Sequence, residues 1–433
     1  MKLIANRMRG MQDILPGEIE KWEYIENIMK EQAKLYGFKM IRTPAIESTG
    51  LFKRATGEAS DIVEKEMYTF NDKGGRDVSL RPEGTAGVIR AILENGMHNS
   101  ILPLKLIYIS SCYRYEKPQS GRFREFFQFG AEIIGGNSTT ADIEIIDLAK
   151  SIFDKIGLKN IQLHINAIGC EGCQGNYIEH MKNFFKAHEQ SLCETCRSRL
   201  ERSPLRIFDC KNKECKQILK EAPLSLAYIC QDCAEHFQRL KDYAYESEID
   251  IKVNPYLFRG LDYYTKTVFE FVDVDSGENL AICGGGRYDN LSKEIGGPAL
   301  TSVGLGIGME RLISVMDRQG VEVPKDKFCD LYFAPLGGPA KRESVKLVHL
   351  LRKEKIKVEL DLVGRFIKPQ MRYADKIKSK FTMVIGANEM EKRKAMLKNM
   401  ETGEEIEMNL DENFIKDFKE ILNKAEHSYQ NEK

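Results

Sequence analysis

Tyr113-Arg114-Tyr115-Glu116, Lys117-Pro118-Gln119-Ser120-Gly121-Arg122 and Phe123-Arg124-Glu125-Phe126-Phe127-Gln128 follow one another without a break. The runs on either side of the middle hexapeptide, 104–115 and 123–135, are strand-like, and the hexapeptide carries Pro and Gly. That pattern predicts two antiparallel strands joined by a loop. Arg114 on the strand and Arg122 in the loop offer two guanidinium forks that match phosphate oxygens bidentately. Gly121 lets the loop move over a ligand. Strand arginines also serve in plain ion pairs, so this segment alone leaves both readings open.

Outward from that pair, apolar residues at helical spacing predict a helix over 18–36, ended by Gly37, and a short strand over 38–44 closed by Pro44. Strands at 78–81, 161–165, 267–272 and 281–283 and helices at 84–95, 141–156 and 306–317 make this section α+β with a mainly antiparallel sheet. Between 170 and 250 the sequence turns charged and mostly helical, and it holds eight of the eleven cysteines. Strands resume on both sides, which predicts an insertion. A polar, Pro-bearing linker at 321–327 leads into strands at 330–334, 357–361, 381–385 and 394–400. Helices at 340–354, 369–379 and 412–425 accompany them, predicting a C-terminal α/β domain over 328–426 with a largely parallel sheet.

Hydrophobic content of 42% and charged content of 30% over 433 residues describe an ordinary globular chain of two or three domains. No apolar run suggests a secretory signal or a membrane span. The expected setting is therefore cytoplasmic, with no membrane partner and with thiols reduced. Formal net charge is zero, which argues against wholesale coating of nucleic acid. Residues 341–398 nevertheless hold 17 Lys and Arg against 7 Asp and Glu, and from 401 onward acids outnumber bases 10 to 4. Charge alone fits an RNA-facing surface and solvated helix faces equally. Cys170-x-x-Cys173, Cys193-x-x-Cys196, Cys210-x₄-Cys215 and Cys230-x-x-Cys233 form four pairs. Two such pairs can complete one tetrahedral Cys₄ zinc site, so the eight thiols could build two structural Zn²⁺ sites or simply pack.

Gly304-Leu305-Gly306-Ile307-Gly308-Met309-Glu310-Arg311-Leu312 leads from a glycine-rich strand into a helix. Its glycines alternate at every second position, unlike a G-x-G-x-x-G dinucleotide fingerprint. Glycines on one strand face let a flat ligand approach the backbone. The helix start and Arg311 then favour anionic phosphate nearby.

These two segments resemble motifs 2 and 3 of class II aminoacyl-tRNA synthetases. Arg9-Gly10-Met11-Gln12-Asp13-Ile14-Leu15-Pro16, Arg81-Pro82-Glu83-Gly84-Thr85, Arg259-Gly260-Leu261-Asp262-Tyr263-Tyr264-Thr265 and 281–289 (Ala-Ile-Cys-Gly-Gly-Gly-Arg-Tyr-Asp) are similar to signatures of the histidyl-tRNA synthetases. The resemblance spans the whole chain and implies a histidine–tRNA ligase with a class II catalytic domain over 1–325, interrupted by the insertion, and an anticodon-binding domain over 328–426. It implies that ATP, as its Mg²⁺ complex, is held by Arg114, Glu116, Arg122, Phe126 and Arg311, with the adenine between Phe126 and Arg311. L-histidine falls to Glu83, Gly84, Thr85, Arg114, Gln128, Glu132, Arg259, Tyr263 and Tyr264, with Glu132 and Tyr264 on the imidazole. Arg259, with Arg114, is implied as the catalytic group stabilising charge at the α-phosphate, and no covalent nucleophile is required. tRNA(His) and a second copy of the chain, meeting near 37–44, are the implied partners, with Arg365 and 368–374 on the RNA face. Lys117 stands where many relatives carry Arg, which keeps the charge but loses a bidentate fork. The alternative is the non-catalytic, synthetase-like regulatory subunit of ATP phosphoribosyltransferase, whose members usually lack a C-terminal domain.

Overall fold

The computed structural model describes residues 5–58, 60–119, 121–210, 212–276, 280–324 and 329–431. Ser120 of the loop quoted above and residues 325–327 of the expected linker lie outside them. The apolar alternation around that loop does form an antiparallel pair, Leu104–Tyr113 against Glu125–Ile134, in register from Leu104↔Ile134 to Tyr113↔Glu125. It sits within an eight-stranded sheet ordered Lys39–Met40, Leu104–Tyr113, Glu125–Ile134, Ser302–Gly308, Leu280–Arg287, Thr265–Asp273, Ile161–Gly169, Ile251–Val253. The two edge strands pair parallel and the six inner ones antiparallel.

Because side chains alternate across a strand, each inner strand feeds two environments. Phe129, Ala131 and Ile133, with Val303, Leu305 and Ile307, enter a core roofed by the helices Ile19–Leu35, Thr140–Ile156 and Met309–Gln319. Gln128, Gly130 and Glu132, with Gly304, Gly306 and Gly308, fall on the opposite face. That second face carries the site.

Several elements differ from expectation. The helix expected from 306 begins at Met309, because the glycine strand continues to Gly308. The strand expected at 38–44 shrinks to Lys39–Met40, and a small sheet of Ile46–Ser48, Asp77–Leu80 and Thr69–Asn71 forms beside it. The insertion is helical (Glu171–Ala187, Glu194–Arg202, Lys213–Leu219, Gln231–Glu246). It also has a core of its own around Tyr177, Met181, Phe185, Leu200 and Ile207.

By internal contacts the chain divides into Met1–Val323 and Pro324–Lys433. The second unit holds a five-stranded sheet ordered Val358–Leu360, Leu331–Pro335, Phe381–Ile385, Lys394–Asn399, Glu405–Asn409. The expected largely parallel sheet is in fact mixed: its first three strands are parallel and its last two antiparallel. The Glu405–Asn409 strand hid in the acidic stretch. Lys394 meets Glu407 at 2.6 Å and Lys398 meets Glu405 at 3.8 Å, so part of the basic-to-acidic switch is cross-strand pairing. No helix among the described residues is long and apolar enough to cross a membrane.

Candidate active site

The polar sheet face opens into a cleft lined by Arg114, Glu116, Arg122, Phe126, Gln128, Arg259 and Arg311 among others. Every residue assigned above to ATP meets here. Arg114 donates to the Pro82 carbonyl at 2.9 Å, and its guanidinium lies 5.2 Å from the Phe126 ring centre. Arg122 donates to Glu116 at 3.0 Å. Arg311 reaches back to the Ala281 carbonyl at 2.8 Å. Burial, together with the positive charge of Arg122, Arg259 and Arg114, brings Arg311 down to about 10. Four arginines facing one space raise a potential that an oligophosphate would relieve. Glu310, beside Arg311, accepts from the Phe127 amide at 2.8 Å and so ties the helix start to the strand.

Deeper on the same face lies a closed polar cluster. Glu132 is fully buried. It accepts from Thr85 at 2.7 Å, from Tyr288 at 2.5 Å and from Tyr108 at 3.4 Å. Burial pushes its carboxyl up to about 8 despite these donors. Glu83, also buried, caps the helix Thr85–Glu94 by accepting from the Thr85 and Ala86 amides at 2.6 and 2.8 Å. Burial raises it too. The rings of Tyr263 and Tyr264 lie 4.7 Å apart and those of Tyr263 and Tyr288 5.5 Å apart, all in one apolar cluster with Tyr108. Burial lifts the Tyr264 phenol to about 12. Glu83, Thr85, Glu132, Tyr263 and Tyr264 thus gather as a group, but none lines the arginine cleft. Tyr263 and Tyr264 instead border a second depression, with Gln174 and Asp262.

Arg259 stands between the two regions. It is ion-paired to Glu270, its Nε is buried without a hydrogen-bond partner, and it lines the cleft. Burial works against its charge, but Glu270 more than compensates and raises its pKa.

The glycines explain how so many long side chains share one sheet face. A Cβ on Gly284 would overlap Arg259, one on Gly286 would crowd Tyr264, and one on Gly130 would overlap Tyr108. On the alternating strand, Gly304 makes room for Glu132 and Gly306 for Gln128, while Gly308 faces open space. The expected role of that strand, admitting a flat ligand, therefore rests on Gly308 and on Gly306 where it lines the cleft; Gly304 serves a neighbouring side chain.

The eight insertion cysteines gather into two groups, Cys170/Cys173/Cys230/Cys233 and Cys193/Cys196/Cys210/Cys215, each with its sulfurs within 4.8 Å of one another. Cys170 and Cys173 are 3.5 Å apart and Cys193 and Cys210 3.8 Å. A tetrahedron of sulfurs bonded to zinc at 2.3 Å has edges of about 3.8 Å. The donor set and spacing fit that ion.

Sequence reasoning missed Tyr108, Tyr288, Glu270 and Glu310. Tyr288 and Glu310 lay inside quoted segments; Tyr108 and Glu270 depend on which strands neighbour one another, a relation no local pattern carries.

A family model described as histidyl-tRNA synthetase matches residues 10–312, and one described as anticodon binding domain matches 330–420. The histidine–tRNA ligase of Caldanaerobacter subterraneus subsp. tengcongensis is 48% identical over 410 residues, 95% of this chain and 98% of that protein. That of Clostridium perfringens is 45% identical over 94% of this chain and 97% of its own length. The apo histidyl-tRNA synthetase of S. aureus superposes with a TM-score of 0.82 at 37% identity, covering 96% of this chain and all of that one. A Bacillus halodurans chain titled as an ATP phosphoribosyltransferase regulatory subunit/histidyl-tRNA synthetase gives 0.62 at 23% identity, a likeness of fold alone. Motifs, fold and relatives agree from end to end: the chain belongs to the histidyl-tRNA synthetase family.

Proposed function

We infer that this chain is a histidine–tRNA ligase: it activates L-histidine with ATP to histidyl-adenylate and transfers it to the 3′-terminal ribose of tRNA(His). The observation that supports this best is the arrangement around Arg259, with an arginine-lined cleft on one side and the closed Glu132 cluster on the other. ATP enters as its Mg²⁺ complex. Arg114 and Arg259 take the α-phosphate, Arg122 and Arg311 the γ-phosphate, and Phe126 and Arg311 the two adenine faces. The Arg122–Glu116 pair opens so that Glu116 can accept from the adenine amino group. Glu83, with Gly84, Thr85 and Gln128, receives the substrate ammonium. Glu132 and Tyr264, with Tyr263 behind them, take the two imidazole nitrogens, one accepting and the other donating or accepting. The substrate carboxylate attacks the α-phosphorus, the bond from that phosphorus to the bridging α–β oxygen breaks and Mg²⁺-pyrophosphate leaves, while Arg259 stabilises the charge that develops at the α-phosphate. A terminal ribose hydroxyl of the tRNA then attacks the adenylate carbonyl, the acyl–phosphate bond breaks, AMP leaves and the hydroxyl proton is released, giving the histidyl ester. Histidine-dependent ATP–pyrophosphate exchange tests the reading; a folded protein that binds histidine without exchange would overturn it.

The residues beyond 323 grip the tRNA anticodon arm. Phe366 is 85% exposed beside Arg365, and Leu362 and Val363 are exposed with it, a combination suited to stacking unpaired bases against a charged backbone. Deleting everything after Val323 leaves pyrophosphate exchange measurable and lowers aminoacylation severely; full charging by the truncated protein would remove the second unit from tRNA binding. Exposed Met40 and Ile46, on the edge strands of their two sheets, support the homodimer expected at 37–44. The work belongs in the cytoplasm, where tRNA is charged.

Each thiol group holds a structural Zn²⁺, which when bound cross-links the segments that carry its four cysteines. Cys170, Cys193 and Cys230 are the N-cap residues of the helices that follow them, and at Cys170 and Cys193 hydrogen bonds from the Cys173 and Cys196 amides favour thiolate. Zinc analysis of protein purified without chelators decides this: about two per chain is expected, and fewer than about 0.2 would leave the cysteines as packing.

A further inference from the structure

The insertion touches residues 256–264, the loop that carries Arg259 and Tyr264 into the strand Thr265–Asp273. Three contacts hold that loop. Arg206, itself only 6% exposed, donates to Asp262 through Nη2 at 2.7 Å and Nε at 3.2 Å. Gln174 donates to the Tyr264 carbonyl at 2.8 Å. Phe258 lies between Tyr177, stacked at 6.0 Å, and Phe208, at 4.5 Å.

Each grip sits next to a thiol group. Gln174 directly follows Cys173, and Arg206 and Phe208 lie on the 3₁₀ turn Pro204–Asp209 that runs into Cys210. The connectivity is nested: the outer group joins the insertion's first and last cysteine pairs, and the inner group joins its two middle pairs. The outer group therefore fixes the start of the helix that carries Gln174, and the inner group fixes the turn that carries Arg206. On the far side of the loop, Asp262 leaves no room for a side chain at Gly57. The insertion reaches the neighbouring segment as well, through Arg199 to Asp61 at 2.5 Å and Arg202 to Glu64 at 3.0 Å.

We propose that the insertion is a zinc-braced clamp on the histidine-reading loop, and that Arg206, through Asp262, is a positioning residue for Arg259 and Tyr264. This rests on the catalytic reading given above. Arg206 touches neither substrate nor reacting atoms; it holds the loop from behind so that the catalytic guanidinium and the imidazole-reading phenol enter the site at a set spacing. A small displacement of such groups is enough to lower turnover roughly a hundredfold.

The test uses the full-length protein. Arg206→Met and Asp262→Asn, singly and together, are measured in pyrophosphate exchange with histidine and ATP varied separately, alongside zinc content and thermal unfolding. Asp262→Asn guards against misfolding, since the Asp262 side chain is 39% exposed. Each single variant is expected to lower kcat/KM for histidine by about ten- to a hundredfold. KM for ATP and the zinc content stay unchanged, the double variant is no worse than either single one, and Arg206→Lys recovers part of the loss. Removing zinc by competition with a strong chelator is expected to speed amide exchange in 256–264 relative to the sheet strands. Wild-type pyrophosphate exchange in all variants, or a rise in KM for ATP as large as that for histidine, would overturn the clamp. Absence of exchange in the wild type would instead overturn the catalytic reading.

Discussion

Gln128 and Glu132 stand on one strand and one face, four residues or about 13 Å apart, in opposite surroundings. Around Gln128 the face is open: Arg114, Arg122 and Arg311 rest on carbonyls or on Glu116, and the space between them is a cleft open to solvent. Around Glu132 the face is closed, and every partner of the carboxylate is another buried side chain. The open end can bind by long-range attraction to charge, which many anions share. The closed end must exchange internal hydrogen bonds for those of its ligand, and a ligand that cannot replace them leaves a buried polar group unmet, a cost of about 1–3 kcal/mol per group. Affinity for the nucleotide and selectivity for the amino acid are thus built from different physics on one sheet.

Arg259 belongs to both ends, and its loss should have the largest effect. Arg259→Ala is expected to lower kcat for adenylate formation by about 10²–10³, the range for removing one charge-stabilising donor. Both KM values should change far less. A variant with near-normal exchange would show that the two ends work without this junction.

Next in size is Glu132→Gln, which keeps the shape of the closed end and removes the carboxyl that can ionise against a bound imidazole. KM for histidine is expected to rise by about ten- to a hundredfold, the range for a hydrogen bond to a charged group, with KM for ATP unchanged. The same variant carries a pH signature. The Glu132 carboxyl is held at about 8, above the ordinary glutamate value. Between those values the folded state keeps a proton that the unfolded chain releases, so this group's stabilisation is full at low pH and lost as pH rises towards 8. The melting temperature of the wild type relative to Glu132→Gln should therefore fall between pH 5 and 8; a constant difference would mean that Glu132 is not so shifted.

The open end was largely readable from sequence and the closed end was not, for a physical reason. Arg114, Glu116, Arg122 and Phe126 lie within thirteen consecutive residues, so one hairpin and its alternation bring them together. Glu132 meets Thr85, Tyr108 and Tyr288 from three other places in the chain, and only the order of strands makes them neighbours. The family resemblance pointed to Thr85 and Glu132 but gave no geometry. The cysteines repeat the lesson: spacing identifies the pairs, but the fold decides that the first joins the fourth. Glycines misled at 306–308, where a residue without a side chain carries no periodic signal and the strand was read as helix.

A pair of glycine substitutions on one strand separates the two ends. Gly304→Ala drives a methyl group into Glu132, and Gly308→Ala meets no atom within 4 Å. The first is expected to cost about 1–3 kcal/mol in stability, as overpacking does, and to raise KM for histidine selectively. The second leaves stability unchanged and raises KM for ATP a few-fold by standing between the strand and the adenine. Equal effects on both substrates from either variant would erase the distinction.

The smallest effect is expected at the Arg122–Glu116 pair. Its side chains are 41% and 19% exposed, and pairs of this kind contribute about 0.2–1 kcal/mol or less. Stability therefore gives no reason to keep both charges, and the case for them lies in the bound state. If Glu116 leaves Arg122 to accept from the adenine amino group while Arg122 turns to phosphate, Glu116→Gln should leave the melting temperature within a degree or two. It should also raise KM for ATP a few-fold, because the amide remains an acceptor but a weaker one. GTP, whose purine presents a carbonyl at that position, should then be discriminated against less strongly than by the wild type, since a glutamine amide can donate where a carboxylate cannot. Unchanged ATP-over-GTP selectivity in Glu116→Gln would show that the pair is only a surface ion bridge and that the open end reads charge alone.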